Sequence, residues 1–170
     1  HGRGVIQDYK EAVKWYRLAA EQGNDRAAYT VGEMYMRGEG VTQDYKEAGK
    51  WYLKAAEQGQ ADAQYSLGLM YKNGEGVIQD YKEAVKWYRL AAEQGVVEAQ
   101  TNLGNMYGAG EGVLQDYARA HMWHNLAASV GYKLGVENRD RVARKMTPAQ
   151  ISKAQDMARE CVKKNYKNCD

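Results

Sequence analysis

Apolar residues fall into blocks with helical spacing, and glycines separate the blocks. In the first block Tyr9, Ala12, Val13, Tyr16, Ala19 and Ala20 share one side of a helix, and Trp15 and Leu18 widen it. Asp8 and Glu11 have capping-box spacing, which predicts a helix starting after Asp8 and running to about Gln22. Gly23 stands where a left-handed residue closes a helix. A second helix is predicted from about Asp25 to Met36, with Ala27, Val31, Met34 and Tyr35 on one side and Gly38 and Gly40 beyond its end.

The pattern returns every 36 residues: Val5 to Ala12 recurs as Val41 to Ala48, as Val77 to Ala84, and loosely as Val113 to Ala120. Trp15, Trp51, Trp87 and Trp123 keep the interval, as do Gly23, Gly59, Gly95 and Gly131. A period of this length marks stacked supersecondary units that touch mainly their neighbours. The predicted fold is all-α, a solenoid of about four helix-turn-helix repeats: 5–40, 41–76, 77–112 and a divergent 113–146. Residues 147–170 supply a C-terminal cap helix and tail, giving nine helices in one continuous domain. Each tryptophan and the alanine pair after it should be buried between repeats. Gly32, Gly68 and Gly104 lie mid-helix, where glycine costs about 1 kcal/mol against alanine. Their recurrence predicts a close helix approach, with Ala19-Ala20 on the facing helix. His1-Gly2-Arg3-Gly4 aligns with Arg37-Gly38-Glu39-Gly40, the end of a repeat, which predicts a further repeat upstream.

In the fourth unit Trp123, Ala127, Ala128 and Gly131 persist, but Asn138 to Met146 replaces the Gly-Glu-Gly ending. Thr147, Pro148 and Gln150 then supply an N-cap, a first-turn proline and a third-position glutamine. The helix from Pro148 to about Lys164 carries Ile151, Ala154, Met157, Ala158, Cys161 and Val162 on one side, as a solenoid cap requires.

Charge narrows the function. The net value is +2, but repeats one to three carry −1, −1 and −2, whereas residues 113–170 carry +5. A protein that tracks nucleic acid shows a sustained basic stripe; only the last third of this chain is basic, so no nucleic-acid partner is expected. No apolar run approaches the about 20 residues that span a bilayer, so no membrane insertion is expected.

His121 and His124 stand three apart on one helix face, a spacing metal ligands use. They occupy the positions of Val13 and Tyr16, however, which favours packing; a metal would need Glu137 or Asp140 to converge. No metal or cofactor is expected. Cys161 and Cys169 would lie ~12 Å apart in a continuous helix, too far to bond. If the helix stops near Lys164-Asn165 the tail can fold back, and the small loop is worth ~2.5 kcal/mol. An even count favours a bond in an oxidising compartment; the alternative is a buried free Cys161 and an exposed Cys169.

Three runs in phase resemble the bacterial Sel1-like repeat (SLR) family, over residues 1–131. They are Ala48-Gly49-Lys50-Trp51-Tyr52-Leu53-Lys54-Ala55-Ala56-Glu57-Gln58-Gly59, Ala63-Gln64-Tyr65-Ser66-Leu67-Gly68-Leu69-Met70-Tyr71 and Gly74-Glu75-Gly76-Val77. The family is similar to tetratricopeptide repeats. The resemblance implies a right-handed α/α superhelical solenoid that acts as an adaptor in protein–protein complexes, with no shared catalytic motif. Bacterial members often occur in the envelope or are secreted, and the end from Met146-Thr147-Pro148 through the terminal cysteines resembles their C-terminal ends.

Lys10, Lys14 and Arg17 form a column on the first helix of the repeat (helix A), opposite its packing side; Lys46, Lys50 and Lys54, and Lys82, Lys86 and Arg89, are taken to repeat it. If helix A lines a concave surface, as in tetratricopeptide arrays, the columns stand ~10 Å apart. With Asn102 and Asn105 of the second helix (helix B) they offer a clamp for an acidic peptide. Pairing with Glu11, Glu21 and their equivalents on a solvated face is the competing use. The repeats differ among themselves at Glu33/Leu69/Asn105, Thr30/Ser66/Asn102, Met36/Lys72/Gly108 and Arg26/Asp62/Glu98, where partner specificity can be written. The expected function is a non-catalytic, monomeric scaffold binding a protein or peptide partner, acidic by its charge match, in the periplasm or outside the cell; a cytoplasmic location is the alternative. The alternative activity is an envelope hydrolase of cell-wall-like amides, for which the sequence holds no supporting Ser/Lys or Cys/His motif.

Overall fold

The computed structural model describes residues 8–169. His1 to Gly4, read above as the end of an upstream repeat, lie outside the described residues. Among the described residues the chain forms nine α-helices and no strand: α1 Tyr9–Glu21, α2 Asp25–Arg37, α3 Tyr45–Glu57, α4 Ala61–Asn73, α5 Tyr81–Ala92, α6 Val97–Ala109, α7 Tyr117–Ser129, α8 Lys133–Ala143 and α9 Pro148–Lys163. They fall into two compact units divided after Ile78. In the first, α1 to α4 pack each against the next; in the second, α5 to α8 do the same and α9 packs back on α7.

The starts of α1, α3, α5 and α7 follow from aspartates. Asp8 Oδ1 accepts from the backbone N–H groups of Lys10 and Glu11, each at 3.1 Å. Asp44 and Asp80 repeat this at 2.8 to 3.1 Å. The reciprocal half of the capping box is absent at these three starts. Glu11, Glu47 and Glu83 turn forward to Lys14, Lys50 and Lys86 instead, because a lysine one turn on is a charged partner and the N-cap N–H is not. Only α9 has the full box: Gln150 Oε1 accepts from the Thr147 N–H at 2.8 Å, and Thr147 Oγ1 from the Gln150 N–H at 3.3 Å.

The mid-helix glycines do permit a close approach, but to an aromatic ring. A Cβ on Gly32 would lie 2.5 Å from the ring of Tyr52 on α3, and one on Gly104 would lie 2.6 Å from the imidazole of His124 on α7. The next repeat's helix A thus lays a ring, and not the expected alanine pair, on the bare backbone of helix B. The two buried glutamine amides of the stack are satisfied: the Gln64 and Gln100 side chains donate to the carbonyls of Ala56 and Ala92 at 3.1 and 3.2 Å.

Tryptophan burial departs from the expectation. Trp87 and Trp123 are buried, but Trp51 is half-buried and Trp15 is 65% exposed, with Leu18 exposed beside it. Cover for Trp51 comes partly from the preceding repeat, whose Arg17 guanidinium stands 5.8 Å from the ring centre. No described helix precedes α1 to do the same for Trp15. The alanine pairs hold better: Ala20, Ala55, Ala56, Ala91, Ala92 and Ala127 are buried, and Ala19 and Ala128 are half-buried.

Candidate functional site

The first candidate surface is the outer side of helix A. Lys10, Lys14, Lys46, Lys50, Lys82 and Lys86 are exposed on α1, α3 and α5. In each of the three helices the middle lysine pairs with the glutamate three residues earlier: Lys14 with Glu11 at 3.0 Å, Lys86 with Glu83 at 3.1 Å, and Lys50 with Glu47. Such exposed pairs are worth about 0.2–0.5 kcal/mol each and leave the lysines free to exchange partners. Lys10, Lys46 and Lys82 are one turn nearer the helix start, three residues before Val13, Gly49 and Val85.

The third column member needs correction. The residue 36 after Arg17 is Leu53, and 36 after Leu53 is Arg89; Lys54 is in phase with Leu18 and Leu90. Arg17 and Arg89 are also tied into the stack. Arg17 lies 5.9 Å from the Tyr35 ring centre, within cation–π range, as well as over Trp51. Arg89 Nη2 donates to the Tyr107 hydroxyl at 2.9 Å. Lys54 sits over Trp51 at 5.4 Å. The repeating surface is therefore two lysines and a glutamate per helix A, with cations on aromatic rings beside it: Arg17 and Lys54 over Trp51, and Lys86 over Trp87 at 5.1 Å. Among these residues, Lys10 to Lys54 belong to the first unit and Lys82, Lys86 and Arg89 to the second.

Helix B contributes differently from the expectation. Asn102 is half-buried on α6, and Asn105 Oδ1 accepts from the Asn138 side chain at 3.3 Å. Asn105 lines a cavity of about 360 Å³ with Glu111, Tyr117, His124, Arg141 and Lys145. His124 is 1% exposed, and neither of its ring nitrogens has a hydrogen-bond partner; His121 Nδ1 is likewise unpartnered. Among the described residues no group of three His, Cys, Asp or Glu side chains is placed to hold a metal ion. Ile78 and Leu114, each 91% exposed at the same point of their repeats, are an apolar feature that periodicity alone had not singled out.

Burial holds His124 neutral and pushes its pKa down to about 4, and the nearby Arg141 and His121 add to the effect. His121 is shifted the same way, by burial first and then Arg139. An unfolded histidine titrates near 6.5. The folded pKa lies below that, so the stability His124 contributes is complete above about pH 6.5 and is lost as the pH falls toward 4, by about 3 kcal/mol. Melting followed from pH 7 to 4 should show this loss, and His124→Tyr should flatten it. Equal slopes for the two proteins would contradict the assignment.

Cys161 and Cys169 are disulfide-bonded, with Cα atoms 5.0 Å apart. Helix α9 ends at Lys163, and Asn165, Tyr166 and Asn168 take positive φ values of 51° to 64°, which folds the tail back. The Tyr166 N–H donates to the Cys161 carbonyl at 2.9 Å. Ala154, Ala158 and Cys161 form the buried side of α9, while Val162, expected beside them, is largely exposed.

The Sel1 repeat pattern matches residues 1–24, 25–60, 61–96 and 97–132. The chain belongs to the Sel1 repeat family. No curated protein matches it. Among solved structures it is similar to an SLR-fold protective antigen of uropathogenic Escherichia coli, with 34% identity and a TM-score of 0.87 over 99% of this chain and 36% of the other. The chain thus spans about a third of that antigen's length. It is also similar to a Sel1 repeat protein from Oxalobacter formigenes, with 36% identity and a TM-score of 0.74 over 95% and 68% of the two chains. Helicobacter pylori cysteine rich protein B shares the fold, with 22% identity and a TM-score of 0.60 over 80% and 98%. The fold is the Sel1 helical solenoid with a C-terminal helix. Sel1 repeat proteins generally mediate protein–protein interaction. The family's repeat frame joins α2 with α3 and α6 with α7, so each of these segments encloses one glycine–ring contact described above.

Proposed function

We propose that this Sel1 repeat protein is a non-catalytic scaffold that captures an acidic protein or peptide segment on the lysine-bearing side of its helix A positions. The observation that carries the reading is the threefold recurrence, at one register, of an exposed lysine followed one turn later by a Glu–Lys pair. An incoming carboxylate can replace the intrahelical glutamate at little cost, because the existing pair is solvent-exposed and weak. Helix B positions that differ between repeats, among them Glu33, Leu69 and Asn105, adjust the fit to a particular partner, and the protein acts as a monomer. The disulfide, together with likeness to a protective antigen, supports an envelope or secreted location.

Nothing favours the hydrolase alternative: both cysteines are bonded, and His124 has no hydroxyl or carboxylate on either nitrogen. Affinity capture on the immobilised chain tests the scaffold reading. The retained partner should carry an acidic segment and should elute as salt rises through about 0.3 M, since exposed charges are screened beyond ~8–10 Å already at physiological ionic strength. Retention that persists unchanged to about 1 M salt would place the contact elsewhere.

A further inference from the structure

The ring position on helix A is occupied by Tyr16, Tyr52 and Tyr88 in the first three repeats and by His124 in the fourth. Where the ring is tyrosine and its partner position is acidic, the contact is complete: Tyr52 lies on Gly32, and its hydroxyl donates to Glu33 at 2.5 Å. In the fourth repeat the imidazole lies on Gly104 in the same way, but it is shorter than a phenol and carries no outer hydroxyl. Asn105 stands where Glu33 stood and turns to Asn138. The space is left as the cavity of about 360 Å³.

The walls of that cavity mix polar side chains with Gly108, Ala109 and Val142, where a packing void would be wholly apolar. His124 forms its floor, 1% exposed, with Nδ1 and Nε2 both lacking a partner. A buried neutral imidazole has one N–H to give and one lone pair to fill, and leaving such groups unmet is costly. The rim holds Arg141 and Lys145, both exposed, against the single carboxylate of Glu111. Lys145 is held over the Tyr117 ring at 5.4 Å. Arg141 has no ion pair among the described residues. A buried hydrogen-bonding floor under a net cationic rim selects an anion, and a planar guanidinium favours a carboxylate, which it can bind through two parallel hydrogen bonds. The volume is at the small end of ligand sites, which run from about 300 to 1,000 Å³.

We propose that the cavity between α6, α7 and α8 is a binding site for a carboxylate group on a ligand about one amino-acid residue in size, with Arg141 and Lys145 receiving the carboxylate and His124 and Asn105 the adjoining polar atoms. The site is separate from the lysine-bearing helix A side and does not depend on it. The same carboxylate chemistry can come from a free small acid or from the C-terminal end of a peptide.

The test is calorimetric and NMR titration of the full chain with four probes: N-acetylglycine, its amide, a pentapeptide with a free C-terminus, and the same pentapeptide amidated. The free acids should bind at least tenfold more tightly than the amides and should raise the titration midpoint of the His124 imidazole. A tighter pentapeptide identifies a chain end as the source; equal affinities identify a free acid. His124→Tyr restores the residue of the other repeats, so it should fold and melt no lower than wild type while losing the binding. Arg141→Gln should weaken the acids at least tenfold and leave the amides unchanged. Equal binding of acid and amide, no binding of any acid up to about 10 mM (a Kd weaker than which is only ~3 kcal/mol), or undiminished binding in His124→Tyr would each overturn the proposal.

Discussion

Gly76→Ala should lower the melting temperature by about 10 °C, whereas Gly59→Ala should lower it by about 3 °C. Both glycines have positive φ, 70° and 93°, so both substitutions impose left-handed strain of about 1–2 kcal/mol. Their surroundings differ. Nothing lies within 4 Å of a Cβ on Gly59, but a Cβ on Gly76 would stand 2.4 Å from the carbonyl oxygen of Tyr45 and 2.5 Å from its carbonyl carbon. That neighbour is backbone at the first turn of α3 and cannot rotate aside. Relief requires moving the α4 exit loop off α3, so the overpacking cost adds about 1–3 kcal/mol or more. For a chain of this size 1 kcal/mol corresponds to about 2–4 °C. Gly40 and Gly112 meet Tyr9 and Tyr81 in the same way at 2.3 Å, so the effect should recur at each. Thermal circular dichroism of the two variants checks the claim; equal losses would show that the close approach does not constrain the stack.

Loss of the disulfide should cost about 2.5 kcal/mol, the chain-entropy value for an eight-residue separation. Cys169→Ser is the cleaner variant, because Cys161 is 1% exposed and a serine there would bury an unpaired hydroxyl. Without the bond the three positive-φ residues Asn165, Tyr166 and Asn168 lose the constraint that holds them, and the last turn of α9 frays from α7. The variant and the reduced wild type should melt together, several degrees below the oxidised protein. Alkylation followed by intact-mass measurement gives the companion result: no thiol should react before reduction, and two reactive thiols would contradict the bond.

The elements most legible in the sequence are those specified by local chemistry. Asp at the N-cap, glycine after the helix and proline at the first turn each act within a few residues, so α1, α2 and α9 fall close to their expected bounds. The cysteine bond was legible for the same reason, since only a helix stop and a short return were needed. What was missed depends on which neighbour supplies a contact. The tryptophan position is one position in sequence, yet Trp15 and Trp123 differ from exposed to fully buried because cover comes from adjacent repeats. Gly32 and Gly104 announce a close approach, but its occupant is a ring of the following repeat, which no local sequence signal specifies. Lys54 breaks the column because it continues Lys50 along one helix face and does not keep the 36-residue register. The cavity beside His124 was visible as a Tyr-to-His change, but a cavity is an absence of atoms, and periodicity reports only the atoms present.

The central claim is that lysines on the outer side of helix A hold the partner. It is tested most directly by affinity capture with wild type and with the Lys50→Glu, Lys54→Glu, Lys86→Glu triple variant side by side. All three side chains lie outside the buried core, so the helical signal should be unchanged, and the melting temperature should fall by no more than about 5 °C for the lost Glu–Lys pairs and the lost contacts of Lys54 and Lys86 with Trp51 and Trp87. The account predicts that wild type retains an acidic partner and the triple variant retains none. Normal capture by the triple variant would contradict it and assign binding to another surface.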